Sequence, residues 1–213
     1  MAKFQNWVNM NYLKQADEEG LDELETTAQQ LAALVLLQQL FCQDVEQLAE
    51  SLIAGEITLA VWQQRMKDLI KELLVSSIVI ARGGDWDAVT DDDWAAVEEE
   101  IERQYQYLAG FAEDIYDKSE AGEEFTSAII ARAMLYAGVA LAIFYWGIIA
   151  EAIEEERREV LWVVNPALEN CSECLELQGM GWMSMGEFRA LDQVPGDGQR
   201  LCGPKCGCGL NLR

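Results

Sequence analysis

Five of the six cysteines in this 213-residue chain fall in its last 43 residues, 171 to 213. They are arranged as Cys171-x-x-Cys174 and, after a gap, Cys202-x-x-x-Cys206-x-Cys208. Thiolates at this spacing converge on one tetrahedral ion, and zinc is the usual occupant. The chain has no histidine, so a zinc site must be all-sulfur. Four thiolates around one ion leave no position for water, which makes the site structural and not catalytic. Cys171 and Cys174 form one half of the site. Cys202, Cys206 and Cys208 compete for the two remaining places. Cys202 and Cys206 can share one tight turn through Gly203-Pro204, and Cys208 could replace either. The rival reading is two disulfides with one thiol left over, which suits an oxidising exterior. A redox Cys-x-x-Cys should open a helix in a βαβ context, and the sequence offers none. Cys42, at the end of the apolar run Leu34–Phe41, reads as a buried core thiol.

The segment around these cysteines needs such a staple. Leu161-Trp162-Val163-Val164 is short and β-prone and stops at Asn165-Pro166. Pro195-Gly196-Asp197-Gly198 is a turn signal, and glycines crowd the cysteines. So few apolar residues do not make a core for about 50 residues unaided. A structural zinc site contributes on the order of 10 kcal/mol of folding energy.

Upstream the character differs. The formal charge is −23, from 15 basic and 38 acidic residues. Residues 1–160 carry 32 acids and 11 bases, a balance of −21, and residues 161–213 carry 6 and 4, a balance of −2. Such acidity repels phosphate backbones and argues against direct nucleic-acid binding. All three prolines lie beyond residue 160, and helical periodicity dominates before it. Leu34, Leu37, Phe41, Val45, Leu48 and Leu52 form one stripe, ended by Gly55. Thr58 caps the next helix, with Trp62, Met66, Leu69 and Leu73 on one face, until Gly83-Gly84 breaks it. Thr90 with Asp91-Asp92-Asp93 caps a third, whose stripe runs Trp94, Val97, Ile101, Tyr105, Leu108, Phe111, Ile115. Gly122 marks a turn, and a fourth helix is expected from about Thr126 to Arg158.

That fourth helix holds 18 uncharged residues, Ala133 to Ala150, the lower limit for a membrane span. Frequent alanine and glycine, an acidic flank at Glu151–Glu156 and no aromatic belt favour a buried core helix instead. The acidic runs Asp91–Asp93, Glu98–Glu100 and Glu154–Glu156 point in different directions on a helix and read as solvated faces. Asp85-x-Asp87 with Asp91 lacks the glycine and terminal glutamate of a calcium loop. There is no phosphate loop, nucleophile elbow or acid–base pair, so no enzyme is expected. The start lacks a secretory signal, which places folding in a reducing cytoplasm. The expected fold class is mainly α: an acidic long-helix body over 1–160 and a small Cys-rich, zinc-ribbon-like module over 161–213.

Several words, in order, carry a family resemblance. They are Ala81-Arg82-Gly83-Gly84, Gln104-Tyr105-x-Tyr107-Leu108-x-x-Phe111-Ala112, Ala131-Arg132-Ala133-x-Leu135-Tyr136-Ala137 and Tyr145-Trp146. Asn165-Pro166, Cys171-x-x-Cys174, Pro195-Gly196-Asp197-Gly198 and Cys202-x-x-x-Cys206-x-Cys208-x-Leu210 follow. Over about residues 55 to 213 the chain resembles the minor head, or head-morphogenesis, proteins of tailed bacteriophages. The resemblance implies a non-enzymatic virion protein, multimeric within an assembly, that contacts portal or major capsid subunits near the portal vertex. It also implies a place in the virion head, assembled in the bacterial cytoplasm. Two departures stand out: Gly207 lies where a basic residue is expected, and the fourth helix is more apolar than usual. The second leaves open a membrane-active or ejected internal protein using helix 133–150. A zinc-stapled cytoplasmic adaptor is a further alternative. Trp162 and Trp182 are candidate docking anchors, or ordinary core packing beside the metal.

Overall fold

The computed structural model describes residues 27–122, 127–154, 157–166, 169–197, 199, 201–202 and 206–213. The expected helical character of residues 1–26, the helix start at Thr126, the run through Glu155–Glu156, Gly198 and the Gly203-Pro204 turn lie outside them. Helices dominate, and the cysteine cluster sits at the C-terminal end. The chain forms two compact units, Met1–Ala137 and Gly138–Arg213. The sequence boundary at residue 160 follows charge and composition, whereas this division follows packing and leaves the apolar helix 139–154 with the cysteines.

In the first unit, α1 (Thr27–Ile53), α2 (Leu59–Ala81), α3 (Asp91–Glu120) and α4 (Ser127–Met134) are arranged so that α1 packs on α2 and α4, and α2 on α3. The whole expected stripe of α1, from Leu34 to Leu52, is buried. Gly55 takes φ +71°, a conformation that costs glycine little, and ends the helical run. Thr58 caps α2 by accepting from the Val61 N–H at 3.3 Å. Trp62 is fully buried and meets Phe111 of α3 edge-on, 5.5 Å between centroids. Gly83 and Gly84, at φ +71° and +85°, release the chain from α2. Thr90 then opens α3 with a capping box closed by Asp93.

Two expectations about charge are corrected here. The acidic runs at the start and middle of α3 are not solvated throughout. Asp93 and Glu100 are buried, at 6% and 7% exposure. Asp93 accepts from the Thr90 N–H at 2.9 Å and pairs with the buried Arg82 at 2.8 Å. Glu100 accepts from Gln104 at 2.6 Å and pairs with Arg103. Both fall on the inward stripe, 4 residues before Val97 and 1 before Ile101, so helical geometry turns them inward and bonding makes that tolerable.

The fourth helix is also not one α-helix. A 3-10 turn over Leu135–Gly138 separates α4 from α5 (Val139–Glu154). The Ala137 carbonyl at this break accepts from Gln38 Nε2 of α1 at 2.8 Å, so a side chain satisfies it.

The second unit contains α5, strand β1 (Glu159–Val163), α6 (Ser172–Gly179), β2 (Trp182–Ser184), α7 (Met185–Ala190) and β3 (Gly209–Leu212). The strands form an antiparallel sheet in the order β2-β1-β3. Register pairs Val160 with Met183 and Trp162 with Leu210, and all four are buried on one face. Strand alternation makes this a small core, which Phe188 of α7 and Leu177 of α6 complete. On the other face Arg213 lies 4.1 Å from the Trp182 ring and pairs with Glu159 at 2.8 Å. Trp162, being fully buried, is core and offers no docking anchor, while Trp182 is 37% exposed.

The Arg82–Asp93 pair yields a stability prediction. Asp93→Ala leaves a buried guanidinium without its carboxylate and opens the α3 cap, and should cost about 3–5 kcal/mol in denaturant unfolding. Asp114→Ala, which removes only the exposed partner of Arg132, should cost less than about 1 kcal/mol.

Candidate metal centre

The local chain places the cysteines before any metal is considered. Cys171 is the N-cap residue of α6, with extended backbone, and Cys174 lies in its first turn. Their sulfurs therefore face the same way at the start of the helix. The Cys-x-x-Cys pair does open a helix, contrary to the sequence reading. Its neighbours are an antiparallel sheet, however, and not the parallel βαβ unit of a redox motif. Glu173 ties the other segment in place: its carboxylate accepts from the Leu201 N–H at 2.8 Å, one residue before Cys202. Cys206 and Cys208 lead directly into β3, whose pairing with β1 fixes them.

The five sulfurs fall into two triads that share one corner. Cys171, Cys174 and Cys202 have Sγ atoms within 4.8 Å of one another, and so do Cys174, Cys206 and Cys208. Cys174 belongs to both triads and is 1% exposed. Its Sγ lies 3.8 Å from Cys202 Sγ and 3.8 Å from Cys206 Sγ. A tetrahedral tetrathiolate with metal–sulfur bonds of about 2.3 Å has sulfur–sulfur edges of about 3.8 Å. A disulfide needs about 2.05 Å. The separations therefore have the scale of metal ligation, and all five thiols are free. Cys42 lies apart on α1 and is half-buried, not the buried core thiol expected; its partial burial and then Glu46 push its thiol up.

Crowding the thiols without a cation makes most of them harder to ionise. Burial, then its sulfur neighbours, pushes Cys174 up, and Cys202 is pushed up to about 12 for the same causes. Burial and Cys206 raise Cys208, and the nearby Trp162 indole opposes them. Cys171 is the exception. Burial raises it, but donors from Cys174 and Cys202, backbone and thiol, outweigh burial and hold it below the ordinary thiol range. A divalent cation would reverse the upward shifts by stabilising each thiolate.

The shell around the sulfurs was not legible in the sequence. Asn170 Oδ1 lies 3.9 Å from Cys208 Sγ, and Asn170 Nδ2 donates to the Asn165 carbonyl at 2.8 Å. Tyr145 of α5, 1% exposed, lies beside the Leu210 backbone. Burial holds its phenol well above the ordinary range. The nearest sequence signal was the position of Asn165-Pro166 just before the knuckle.

The first unit also holds a cleft with perturbed chemistry. A cleft of about 360 Å³ between α1 and α2 is lined by Asp44 from α1 and by Arg65, Asp68 and Glu72 from α2, among others. Glu72 Oε1 is buried with no hydrogen-bond partner. Burial, then Asp44, pushes the Glu72 carboxyl up to about 7. The signal for it was its position between Leu69 and Leu73 on the inward stripe.

Comparison with family models, with curated proteins and with solved structures returned no match for this chain.

Glu72 makes stability depend on pH with a definite sign. Its folded pKa of about 7 exceeds the ordinary 4.5, so the folded chain holds a proton that the unfolded chain releases between those values. Stability is therefore fully present below 4.5, falls as pH rises to about 7, and stays lower above it. Solvent screening at this part-exposed group keeps the effect modest. Glu72→Gln should remove this component. Melting temperatures across pH should show the variant close to wild type at pH 4.5 and more stable at pH 8.

Proposed function

We propose that this chain is a non-catalytic helical interaction protein whose C-terminal module is stapled by one structural zinc ion. The observation that carries the reading is the pair of 3.8 Å edges meeting at Cys174 inside a cluster of five free thiols. Zinc is favoured over other ions because thiolates are soft donors and the set is closed and tetrahedral in scale. The antiparallel sheet supports the same reading: its buried face has Val160, Trp162, Met183 and Leu210 as its main apolar content, which is little for an autonomous fold. When bound, the ion supplies cross-linking and charge neutralisation and no reaction.

For its setting we propose the head of a tailed bacteriophage, where the chain would act at or near the portal vertex through contacts with portal or major capsid subunits. The ordered words from Ala81 to Leu210 support this. Acidic exposed surface on α3, including Glu98, Glu99 and Glu102, would keep the body from binding packaged genome. Trp182, 37% exposed under Arg213, is the better of the two tryptophans as a contact residue.

The apolar helix supports a second reading, a membrane-active or ejected protein. Ala128–Glu154 is long and apolar enough to cross a bilayer, with 61% of its most apolar 18-residue window buried. That share of burial favours the packed form as the resting state.

Two measurements test these readings. Metal analysis of the full chain should find one zinc per chain, and removal of the metal by a chelator should unfold Gly138–Arg213; a metal-free chain with paired thiols would replace the staple with disulfides. In purified phage particles the protein should appear at a fixed stoichiometry. Its absence from particles, with partition into liposomes and protection of Ala128–Glu154 there, would favour the membrane reading.

A further inference from the structure

The corner between α2 and α3 carries two tryptophans that the helical core leaves partly in solvent. Trp86, in the 3-10 turn Trp86–Ala88, stacks on Trp94 near the start of α3, with ring centroids 5.8 Å apart and planes 24° from parallel. Both stay part exposed, whereas Trp62 and Trp162 are fully buried. Stacking covers one face of each indole and leaves other ring surface open to a partner.

The backbone holds the pair in place. Gly83 and Gly84 turn the chain out of α2 at φ +71° and +85°. Asp85 caps the 3-10 turn by accepting from the Asp87 N–H at 2.9 Å, and Thr90 caps α3. The buried Arg82–Asp93 pair ties the end of α2 to the start of α3, and Val89, between the two caps, is buried. Exposed charge around the indoles has one sign. Asp85 and Asp87 flank Trp86, and both are exposed. Asp91, Trp94 and Glu98, spaced by 3 and 4, share one face of α3, and both of these acids are exposed. Arg82 is buried and committed to Asp93, and no other basic residue occurs before Arg103.

We propose that this corner is a docking surface for an arginine-bearing segment of a partner protein, with a guanidinium stacking on the indole pair and bonding the flanking carboxylates. An indole face attracts a cation through its quadrupole. A guanidinium suits this surface better than an ammonium, because it is planar, weakly hydrated and presents two parallel donors to a carboxylate. The same acids repel a phosphate backbone. A second copy of a chain with net charge −23 brings the wrong sign. The inference rests on the interaction-protein reading above and gives it a contact surface and a partner chemistry. It requires neither the zinc nor the phage setting.

The test titrates the isotope-labelled full chain with an acetylated, amidated Arg-Gly-Arg-Gly-Arg peptide. The indole N–H signals of Trp86 and Trp94 should move together, and those of Trp62 and Trp162 should stay in place. Trp86→Ala should weaken binding about tenfold, and the same peptide with lysine for arginine should bind the wild type several-fold more weakly. Added salt should weaken binding to both proteins and leave Trp86→Ala the weaker. Glu98→Lys, a change at an exposed position, should weaken binding too, and it decides the matter where Trp86→Ala does not fold. Equal binding by wild type and Trp86→Ala, or signal movement spread over the acidic faces without Trp86 and Trp94, would show diffuse charge attraction and overturn the proposal. So would Trp86 and Trp94 signals that shift with the chain's own concentration, because the occupant would then be a second copy. A chelator separates this surface from the staple: peptide binding should survive removal of zinc, and a wild-type chain that holds zinc but ignores the peptide overturns the docking surface alone.

Discussion

Cys174 sits where every constraint on the C-terminal unit meets. Its sulfur is the common corner of two thiol triads, and each triad is carried by different elements. The first joins the start of α6 to the segment after Leu201. The second joins α6 to the lead-in of β3. Since β3 pairs with β1, and α6 packs on β1, the sulfurs close a loop through the whole module. Its apolar face, centred on Trp162, then has a fixed partner in Leu210. Without a cation the same crowding works against itself, because burial and neighbouring sulfurs raise Cys174, Cys202 and Cys208 together. A divalent ion turns that mutual penalty into mutual attraction. If a metal is bound there, the module's stability and the metal affinity are one free energy seen from two sides.

The helical unit is held by a different principle. Its interior is apolar along the α1, α2 and α3 stripes, from Phe41 through Trp62 to Phe111. Among the described residues, polar groups enter it at Gln30 of α1, at Ser76 and Ser77 of α2, and as a charged set at the turn between α2 and α3 and along the inner edge of α3. There Arg82, Asp93 and the Thr90 cap form one connected set, so the buried charges are paired and the helix start is satisfied by the same carboxylate. Glu72 lacks that arrangement: it faces the α1–α2 cleft with one oxygen unpartnered, and its environment answers by favouring the neutral acid. The contrast explains why net charge says little about the interior. Among the described residues, the acids lie mostly on exposed faces, and the few that turn inward are each paired, bonded or shifted.

Most of the helical architecture was legible because it depends on local rules. The stripe from Leu34 to Leu52, the Thr58 and Thr90 caps and the glycines at 55, 83, 84 and 122 announce themselves by spacing and by conformational need. What the sequence hid depends on partners distant in the chain. The break at Leu135–Gly138 has no proline and is accommodated by Gln38, 99 residues away from Ala137. Glu100 looked solvated because a run of acids carries no mark of which one faces inward. For the cysteines, spacing predicted convergence but not the shared corner. That corner depends on how β3 and α6 are brought together, and no local pattern encodes it. The role of Asn170 beside Cys208 was invisible for the same reason.

The apolar helix is where packing and membrane readings meet, and the break within it bears on both. A bilayer offers no donors, so a spanning segment must satisfy its own backbone groups. Here the Ala137 carbonyl is satisfied by a glutamine side chain of another helix, a bond that a lipid-inserted segment would lose. Tyr145 likewise is almost fully buried, beside the Leu210 backbone. Close approach adds to this: a Cβ at Gly196 would meet Leu141 Cβ at 3.0 Å, and one at Gly209 would meet the Tyr145 hydroxyl at 2.9 Å. Insertion would have to break the contacts that seat α5 beside β3 and the cysteines.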